Sequence, residues 1–154
     1  MGRRAKVCLL VLLLVAATAV SSAETLSNHW IGRSFSADPY WHTTAVTCPA
    51  DGWTLTVNSD ELVVEVYQGP TVSGADWSLV GAPQVRSGGG ESSLTVRLET
   101  EKVPGLQARI TYSLKRDQAW LYKQVVLLGP RDLVISRVDL EPMTVSPQPR
   151  DQSG

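Results

Sequence analysis

The chain has 154 residues, of which 14 are basic and 15 are acidic. Three of the basic residues fall within the first six positions, so the rest of the chain, with 11 basic and 15 acidic residues, carries a net charge of −4. Nucleic acids and anionic membranes are bound through clustered Lys and Arg side chains, and this sequence has no such cluster. We therefore expect no nucleic acid among the partners, and no membrane once the N-terminal segment is removed.

The N-terminal segment has the composition of a secretory signal peptide. Basic residues follow the first methionine, an apolar run extends from Val7 to Val20, and Ser21-Ser22-Ala23 supplies small residues for cleavage. We predict that residues 1–23 are a signal peptide cleaved after Ala23, which places the protein in a secreted, periplasmic or extracellular location. The apolar run is shorter than the roughly 20 residues that a membrane helix needs, and an uncleaved anchor is the alternative.

Cys48 is the only cysteine outside this segment, so the sequence predicts no disulfide within the mature domain. No histidine neighbours Cys48, and we expect a buried, inert thiol. His29 and His42 are not spaced with carboxylates or with Cys48 as metal ligands usually are. The sequence therefore predicts no metal and no other cofactor.

Alternation of apolar and polar residues predicts β-strands along most of the chain. In the first half, the segments from Thr25 to Phe35 and from Trp77 to Val85 are weak candidates. The segments from Thr54 to Val57 and from Glu61 to Tyr67 are predicted to form a hairpin across Asn58-Ser59-Asp60.

The clearest alternation lies in the second half, from Ser93 to Glu99 and from Gln107 to Lys115. Further strands are predicted from Trp120 to Leu128 and from Leu133 to Leu140. The continuous apolar run Val125-Val126-Leu127-Leu128 predicts a strand end that is buried on both faces.

The predicted fold class is therefore all-β, because no segment after the signal shows helical periodicity. About eight or nine short strands at this spacing are typical of an antiparallel β-sandwich or supersandwich. We place this domain at residues 24–145 and expect it to be incomplete at its C-terminus. Residues 146–154 are polar and contain proline, which predicts a linker or disordered tail.

Catalytic residues are not evident in the sequence. Asp60 and Glu61 form the most conspicuous acidic pair, but adjacent residues on a strand point to opposite faces and cannot jointly flank one bond. A turn residue and a strand-edge residue are the expected roles. Gly88-Gly89-Gly90 lacks the lysine of a phosphate-binding loop and is expected to be a flexible turn.

Aromatic residues are the remaining candidates for ligand contact, since the chain has five tryptophans and one phenylalanine. Trp53, Trp77 and Trp120 are expected in the core. Tyr40 and Trp41 either fill the core or stack on the C–H faces of a sugar. In the second case, Arg33 would add bidentate hydrogen bonds to sugar hydroxyl groups.

Several short motifs occur in a characteristic order along the chain. They are Leu26-Ser27-Asn28 with Ile31, Arg33 and Phe35; Thr43-Thr44; Ser59-Asp60-Glu61-Leu62; and the segment from Asp117 to Lys123, which contains Trp120-Leu121. Their order resembles the N-terminal β-supersandwich domain, which is galactose-mutarotase-like, of melibiase-type α-galactosidases and related glycoside hydrolases. The resemblance covers most of the chain from Thr25 to Val145.

In that family the nucleophile and acid/base aspartates belong to a (β/α)₈ barrel, which this sequence lacks, so no catalytic residue is carried over. Gly129-Pro130-Arg131 also departs from the Asn/Gly turn that comparable domains often place there. The resemblance implies an exported, non-catalytic domain that acts as a scaffold or contacts carbohydrate, with carbohydrate and a catalytic barrel domain as partners.

Two alternatives remain open from the sequence. The first is a structural or adhesion β-sandwich that binds another protein, which the many alternating strands favour. The second is the front part of a truncated α-galactosidase-like glycosidase, so that the chain would belong to an enzyme whose catalytic residues lie elsewhere.

Overall fold

The computed structural model describes residues 23–145. The predicted signal peptide up to residue 22 and the predicted tail at residues 146–154 lie outside the described residues. Within the described range the chain is almost entirely β-strand, with one 3₁₀ turn at Gly74–Asp76, and no helix there is long and apolar enough to cross a membrane. The predicted all-β class is confirmed.

Residues 23–145 form thirteen strands. They are β1 (Glu24–Ser27), β2 (Gly32–Ser36), β3 (His42–Cys48), β4 (Trp53–Ser59), β5 (Leu62–Val66), β6 (Thr71–Val72), β7 (Ser78–Leu79), β8 (Gln84–Gly88), β9 (Glu91–Glu99), β10 (Gln107–Lys115), β11 (Tyr122–Leu128), β12 (Ile135–Leu140) and β13 (Met143–Val145).

The strands form three sheets in which every pairing is antiparallel. The first sheet has the order β1-β2-β3-β4-β13, and the third has the order β12-β5-β6. In the second sheet β10 lies between β11 and β9, and both β7 and β8 pair with the other side of β9. The core is enclosed by side chains from all three sheets.

Alternation along β9 and β10 builds much of this core, as the sequence predicts. Leu94, Val96 and Leu98 of β9 are buried, and Ile110 and Tyr112 face them from β10. The polar residues between these positions point to the opposite, solvent-facing side of the sheet.

The predicted hairpin across Asn58-Ser59-Asp60 is wrong, because β4 and β5 belong to different sheets. β4 pairs with β3 and β13, whereas β5 pairs with β12 and β6. The backbone N–H of Asp60 donates to the carbonyl of Pro142 at 2.9 Å, so this connection is bonded to a distant segment instead of closing a tight turn.

The predicted burial of Val125-Val126-Leu127-Leu128 on both faces is also wrong. β11 is an edge strand, and one of its faces lies against the core while the other faces solvent. The first three residues of the run are half-buried and Leu128 is exposed. A continuous apolar run therefore does not indicate a central strand here.

The tryptophans divide between the core and the surface. Trp77 is buried as expected, and its indole N–H donates to the Leu62 carbonyl at 3.1 Å. Trp53 and Trp120 are exposed, because Trp53 begins β4 beside a turn and Trp120 lies in the loop before β11. Cys48 is half-buried and its thiol donates to Asp51 at 3.2 Å, so it is less enclosed than expected.

The same substitution at two valines tests this assignment of the core. Val96→Ala should lower the free energy of unfolding by about 2 kcal/mol, because it removes buried methyl groups and leaves a cavity. Val85→Ala, at a position that is 51% exposed against 1% for Val96, should change it by less than about 0.5 kcal/mol. Equal effects of the two substitutions in urea unfolding would contradict the assignment.

Candidate functional site

A buried carboxylate, Glu61, lies where the three sheets meet. Glu61 is 1% exposed and directly precedes β5. The side chains around it form a set that we call the Glu61 cluster. Its members are Glu61, Arg33, Thr43, Ser59, Tyr112, Lys123 and Glu141.

Two cations neutralise Glu61 from different sheets. Arg33 of β2 donates from Nη2 to Glu61 Oε1 at 3.1 Å, and its Nε donates to the Thr43 hydroxyl at 2.7 Å. Lys123 of β11 donates from Nζ to Glu61 Oε2 at 2.7 Å and to the Glu61 main-chain carbonyl at 2.7 Å. The carboxylate is thus held between a guanidinium and an ammonium.

Hydroxyl groups supply the remaining donors to Glu61. Ser59 donates to Oε1 at 2.6 Å, Tyr112 donates to Oε2 at 2.6 Å, and Thr43 also donates to Oε1. Burial by itself would raise the pKa of Glu61, but Lys123, Arg33 and the hydrogen bonds outweigh it and lower that pKa to about 2. Burial and the Glu61 charge raise the pKa of Tyr112, which keeps its hydroxyl protonated as a donor.

A second carboxylate, Glu141, balances the charge of the cluster. It contacts Arg33 and lies 3.5 Å from Lys123 Nζ, so two cations face two carboxylates. Glu141 connects β12 to β13 with a left-handed φ of 67°, a conformation that costs energy for a residue with a side chain. These ion pairs hold the connection in place despite that cost.

The cluster is arranged to hold charge and not to transfer protons. A general acid requires a carboxyl group with a raised pKa, whereas the pKa of Glu61 is lowered. The side chains of Arg33 and Lys123 are almost completely enclosed, and every buried polar side-chain atom in residues 23–145 has a hydrogen-bond partner. The arrangement is that of a structural ion cluster. Glu61, expected as a strand-edge residue, directly precedes β5 and is fully buried among these partners.

Arg33 and Trp41, two of the three predicted sugar-contact residues, lie in the interior. Arg33 belongs to the Glu61 cluster, and Trp41 is 2% exposed. The Trp41 ring stacks on Phe35 at a centroid distance of 5.3 Å, and its indole N–H donates to the Tyr112 hydroxyl at 3.4 Å. This placement leaves neither the Arg33 guanidinium nor the Trp41 ring open to a ligand, and we do not place sugar contact there.

Tyr40, the third predicted contact residue, is half-buried next to the 3₁₀ turn. Its ring packs so closely on Gly74 that a side chain at that position would collide with it, and the ring lies 5.1 Å from that of His42. Burial and the nearby Asp60 raise the pKa of the Tyr40 hydroxyl. Contact between Tyr40 and sugar stays a prediction. Arg33 and Trp41, which the sequence suggested as its partners in this contact, lie in the interior.

An open groove lies on the solvent-facing side of the second sheet, and we call it the outer groove. Its volume is about 450 Å³. It is lined by Glu91, Thr111, Ser113, Lys115, Gln118, Trp120, Tyr122 and Gln124. The two rings of this set are among the most exposed apolar side chains of the described residues, with Trp120 61% and Tyr122 65% exposed.

Strand register places these side chains together. Thr111 of β10 lies opposite Gln124 of β11, and Ser113 lies opposite Tyr122. On the other side of β10, Lys115 lies opposite Glu91 of β9. Side chains alternate along a strand, so these residues face solvent for the same reason that their neighbours face the core.

Asn28 supports one end of the outer groove. Its Nδ2 donates to the carbonyls of Lys115 and Gln118, each at 2.7 Å. Its Oδ1 accepts the backbone N–H groups of Trp30 and Ile31, each at 2.8 Å. One side chain therefore joins the β1–β2 connection to the turn that carries Gln118 and leads to Trp120.

A second groove, of about 440 Å³, lies between the Gly88-Gly89-Gly90 turn and residues Asn28 and His29. Neither tryptophan nor tyrosine lines it, so it offers no broad ring face for stacking. Within residues 23–145, no group of three or more His, Cys, Asp or Glu side chains is placed to hold a metal ion.

The burial of two charged residues, Arg33 and Lys123, was not predicted, although the sequence around each of them indicates it. Arg33 lies two residues from both Ile31 and Phe35, so it is on the same face of its strand as these apolar residues. Lys123 is placed in the same way between Leu121 and Val125. A cation on the apolar side of a strand indicates a buried ion pair. The partner, Glu61, has no comparable local signal.

No protein-family model, curated protein or solved structure matches this chain. Its function must therefore be inferred from the chemistry of the Glu61 cluster and the outer groove.

Glu61→Gln tests the structural role of the cluster. Removing this charge leaves two buried cations facing one carboxylate, so the free energy of unfolding at pH 7 should fall by about 3 kcal/mol. Glu65→Gln is the matched control, because the Glu65 side chain is 40% exposed and its ion pair with Arg137 is 3.9 Å long. Its effect should stay within about 0.5 kcal/mol in the same urea titration.

The pH dependence of stability gives a second test. The pKa of Glu61 is about 2 in the folded protein and 4.5 without interactions, so its ionisation stabilises the fold above pH 4.5. This contribution, about 3 kcal/mol, should disappear as the pH falls from about 4.5 towards 2. The stability difference between wild type and Glu61→Gln should shrink over that interval. A difference that is constant from pH 7 to pH 2.5 would contradict the role of the charge.

Proposed function

We propose that this chain is an exported, non-catalytic β-domain that contacts neutral carbohydrate through the outer groove. We further propose that it is related to the N-terminal supersandwich domain of glycoside hydrolases, with a catalytic barrel domain as a partner. The observation that carries the carbohydrate proposal is the pair of exposed rings, Trp120 and Tyr122, beside a row of hydroxyl and amide side chains.

The composition of the groove matches the two kinds of surface that a pyranose ring presents. The C–H face of a sugar packs on an aromatic ring, for which Trp120 and Tyr122 are available. The sugar hydroxyl groups need both donors and acceptors, and Thr111, Ser113 and Gln124 each supply both. Large exposed rings bordered by polar groups are typical of a binding surface.

Charge within the groove favours a neutral ligand. Lys115 and Glu91 lie opposite each other across β10 and β9, and they are the two charged side chains that line the groove. Their opposite charges cancel, so an anionic or cationic ligand gains little net attraction. A neutral saccharide, which binds through hydroxyl groups and ring faces, fits this balance.

The positions of the carboxylates support a non-catalytic role. Glycoside hydrolysis generally uses two carboxyl groups on either side of the scissile bond. Glu91 is the one carboxylate that lines the outer groove, whereas Glu61 and Glu141 are held by cations in the interior. The outer groove therefore offers a contact surface without a catalytic pair.

The composition of residues 1–23, with basic, apolar and small-residue parts in order, supports export. An exported domain with an open groove on a sheet can bind along a saccharide chain, which suits a module that positions a catalytic partner. The order of the motifs from Leu26 to Lys123 is the basis for proposing an origin among carbohydrate-active proteins.

Alanine substitutions at three exposed aromatic residues test the proposal. A glycan array probed with the mature protein should identify a neutral saccharide, and affinity-gel electrophoresis then gives relative affinities. Trp120→Ala and Tyr122→Ala should each weaken binding by roughly tenfold or more, because each removes a stacking face.

Trp53→Ala is the matched control, since Trp53 is also exposed but lies on β4, outside the outer groove. Its affinity should equal that of the wild type. The proposal fails if the wild-type domain binds no neutral glycan, or if Trp120→Ala and Trp53→Ala bind equally well.

A further inference from the structure

β12 carries apolar side chains that the rest of the domain leaves uncovered. Val138 lies opposite Val64 of β5, and Leu140 lies opposite Leu62. The two β5 residues are fully buried, whereas Val138 is 39% and Leu140 55% exposed. An apolar sheet face that is covered at β5 therefore extends into solvent at β12.

β12 is also an edge strand. Its sheet has the order β12-β5-β6, so among the described residues its second edge pairs with no strand. Edge strands present free N–H and C=O groups, which invite pairing with another chain unless charge, proline or a bulge prevents it. An irregularity between Ile135 and Arg137 interrupts the start of β12, but the segment from Arg137 to Leu140 pairs regularly with β5.

We propose that this edge binds a second copy of the chain, with the two β12 strands antiparallel about a two-fold axis at Val138. In this register each Val138 lies opposite the Val138 of the other copy. The same axis places Arg137 of each copy opposite Asp139 of the other. A contact of this kind is isologous: both copies use the same surface. It therefore closes as a dimer, in which both β12 edges are paired.

Charge complementarity is what identifies the occupant as a second copy. Arg137 and Asp139 lie on the same face of β12, where Arg137 Nε donates to Asp139 Oδ1 at 2.9 Å. Antiparallel pairing adds two cross-strand pairs of opposite charge, whereas in-register parallel pairing would place like charges against each other. The charges of the segment Arg137-Val138-Asp139 are thus complementary to those of a second copy when the two strands are antiparallel.

The proposed interface is separate from the outer groove. The groove is lined by residues of β9, β10, β11 and the loop before β11, and none belongs to β12. Saccharide binding and dimer formation therefore use different residues, and either proposal can fail without the other.

Sedimentation velocity of the mature protein tests the interface by charge reversal. Measurements from about 1 to 200 µM, under reducing conditions that keep Cys48 a thiol, should show a monomer–dimer equilibrium. Arg137→Asp and Asp139→Arg should each weaken the dimer by roughly tenfold or more, because each places like charges opposite each other. An equimolar mixture of the two variants should form a heterodimer, and the double swap R137D/D139R should restore the homodimer.

Cysteine cross-linking tests the register in a Cys48→Ser background. Val138→Cys should form a disulfide-linked dimer, because opposite Cα atoms in antiparallel strands lie about 4.5–5.5 Å apart, within disulfide range. Ser136→Cys is the control, since its two copies would be separated by roughly 13 Å along the strands.

Arg86→Asp, at an exposed position on β8, is a matched charge reversal that should leave the dimer unchanged. The proposal is overturned by a monomer at every concentration, by a dimer that persists in Arg137→Asp, or by equal cross-linking at positions 136 and 138. Binding of a different protein to a monomeric chain would likewise overturn it.

Discussion

The buried charge of Glu61 draws strands of all three sheets together. An ionised carboxylate in a protein interior is costly unless cations and hydrogen-bond donors replace the water it loses. Here the donors come from Arg33 of β2, Tyr112 of β10 and Lys123 of β11, together with two hydroxyl groups from β3 and β4. Strands of the first and second sheets must therefore meet at Glu61, the residue directly before β5 of the third sheet, which constrains how the three sheets pack.

The same contacts prepare the outer surface. Tyr112 and Lys123 hold β10 and β11 from the inside, and their neighbours in sequence, Ser113 and Tyr122, point outward into the groove. Alternation along the strands thus links a rigid interior to an exposed contact surface. A surface held in this way loses little conformational freedom when a ligand binds, which is consistent with the recognition role that we propose for it.

Local sequence patterns predicted the positions of the strands better than they predicted which strands pair with each other. The alternation in β9 and β10 was sufficient, because each strand has one buried face. The hairpin expected around Ser59 was wrong because the two strands pair with distant parts of the chain. β4 pairs with β13 and β5 pairs with β12, and the Asp60 N–H between them donates to the Pro142 carbonyl. Exposure of Trp120 could not be read from composition either, since it depends on where the loop before β11 lies.

We propose that the interior charges hold the fold while the outer groove contacts sugar. The most direct measurement is a two-dimensional ¹H–¹⁵N NMR titration of the mature domain with a neutral saccharide identified by the glycan array. We expect the amide shifts of Thr111, Ser113, Tyr122 and Gln124 to change, and those of Arg33, Trp41 and Glu61 to stay constant. Shifts confined to the segment around Tyr40, or an unchanged spectrum at saturating saccharide, would contradict it.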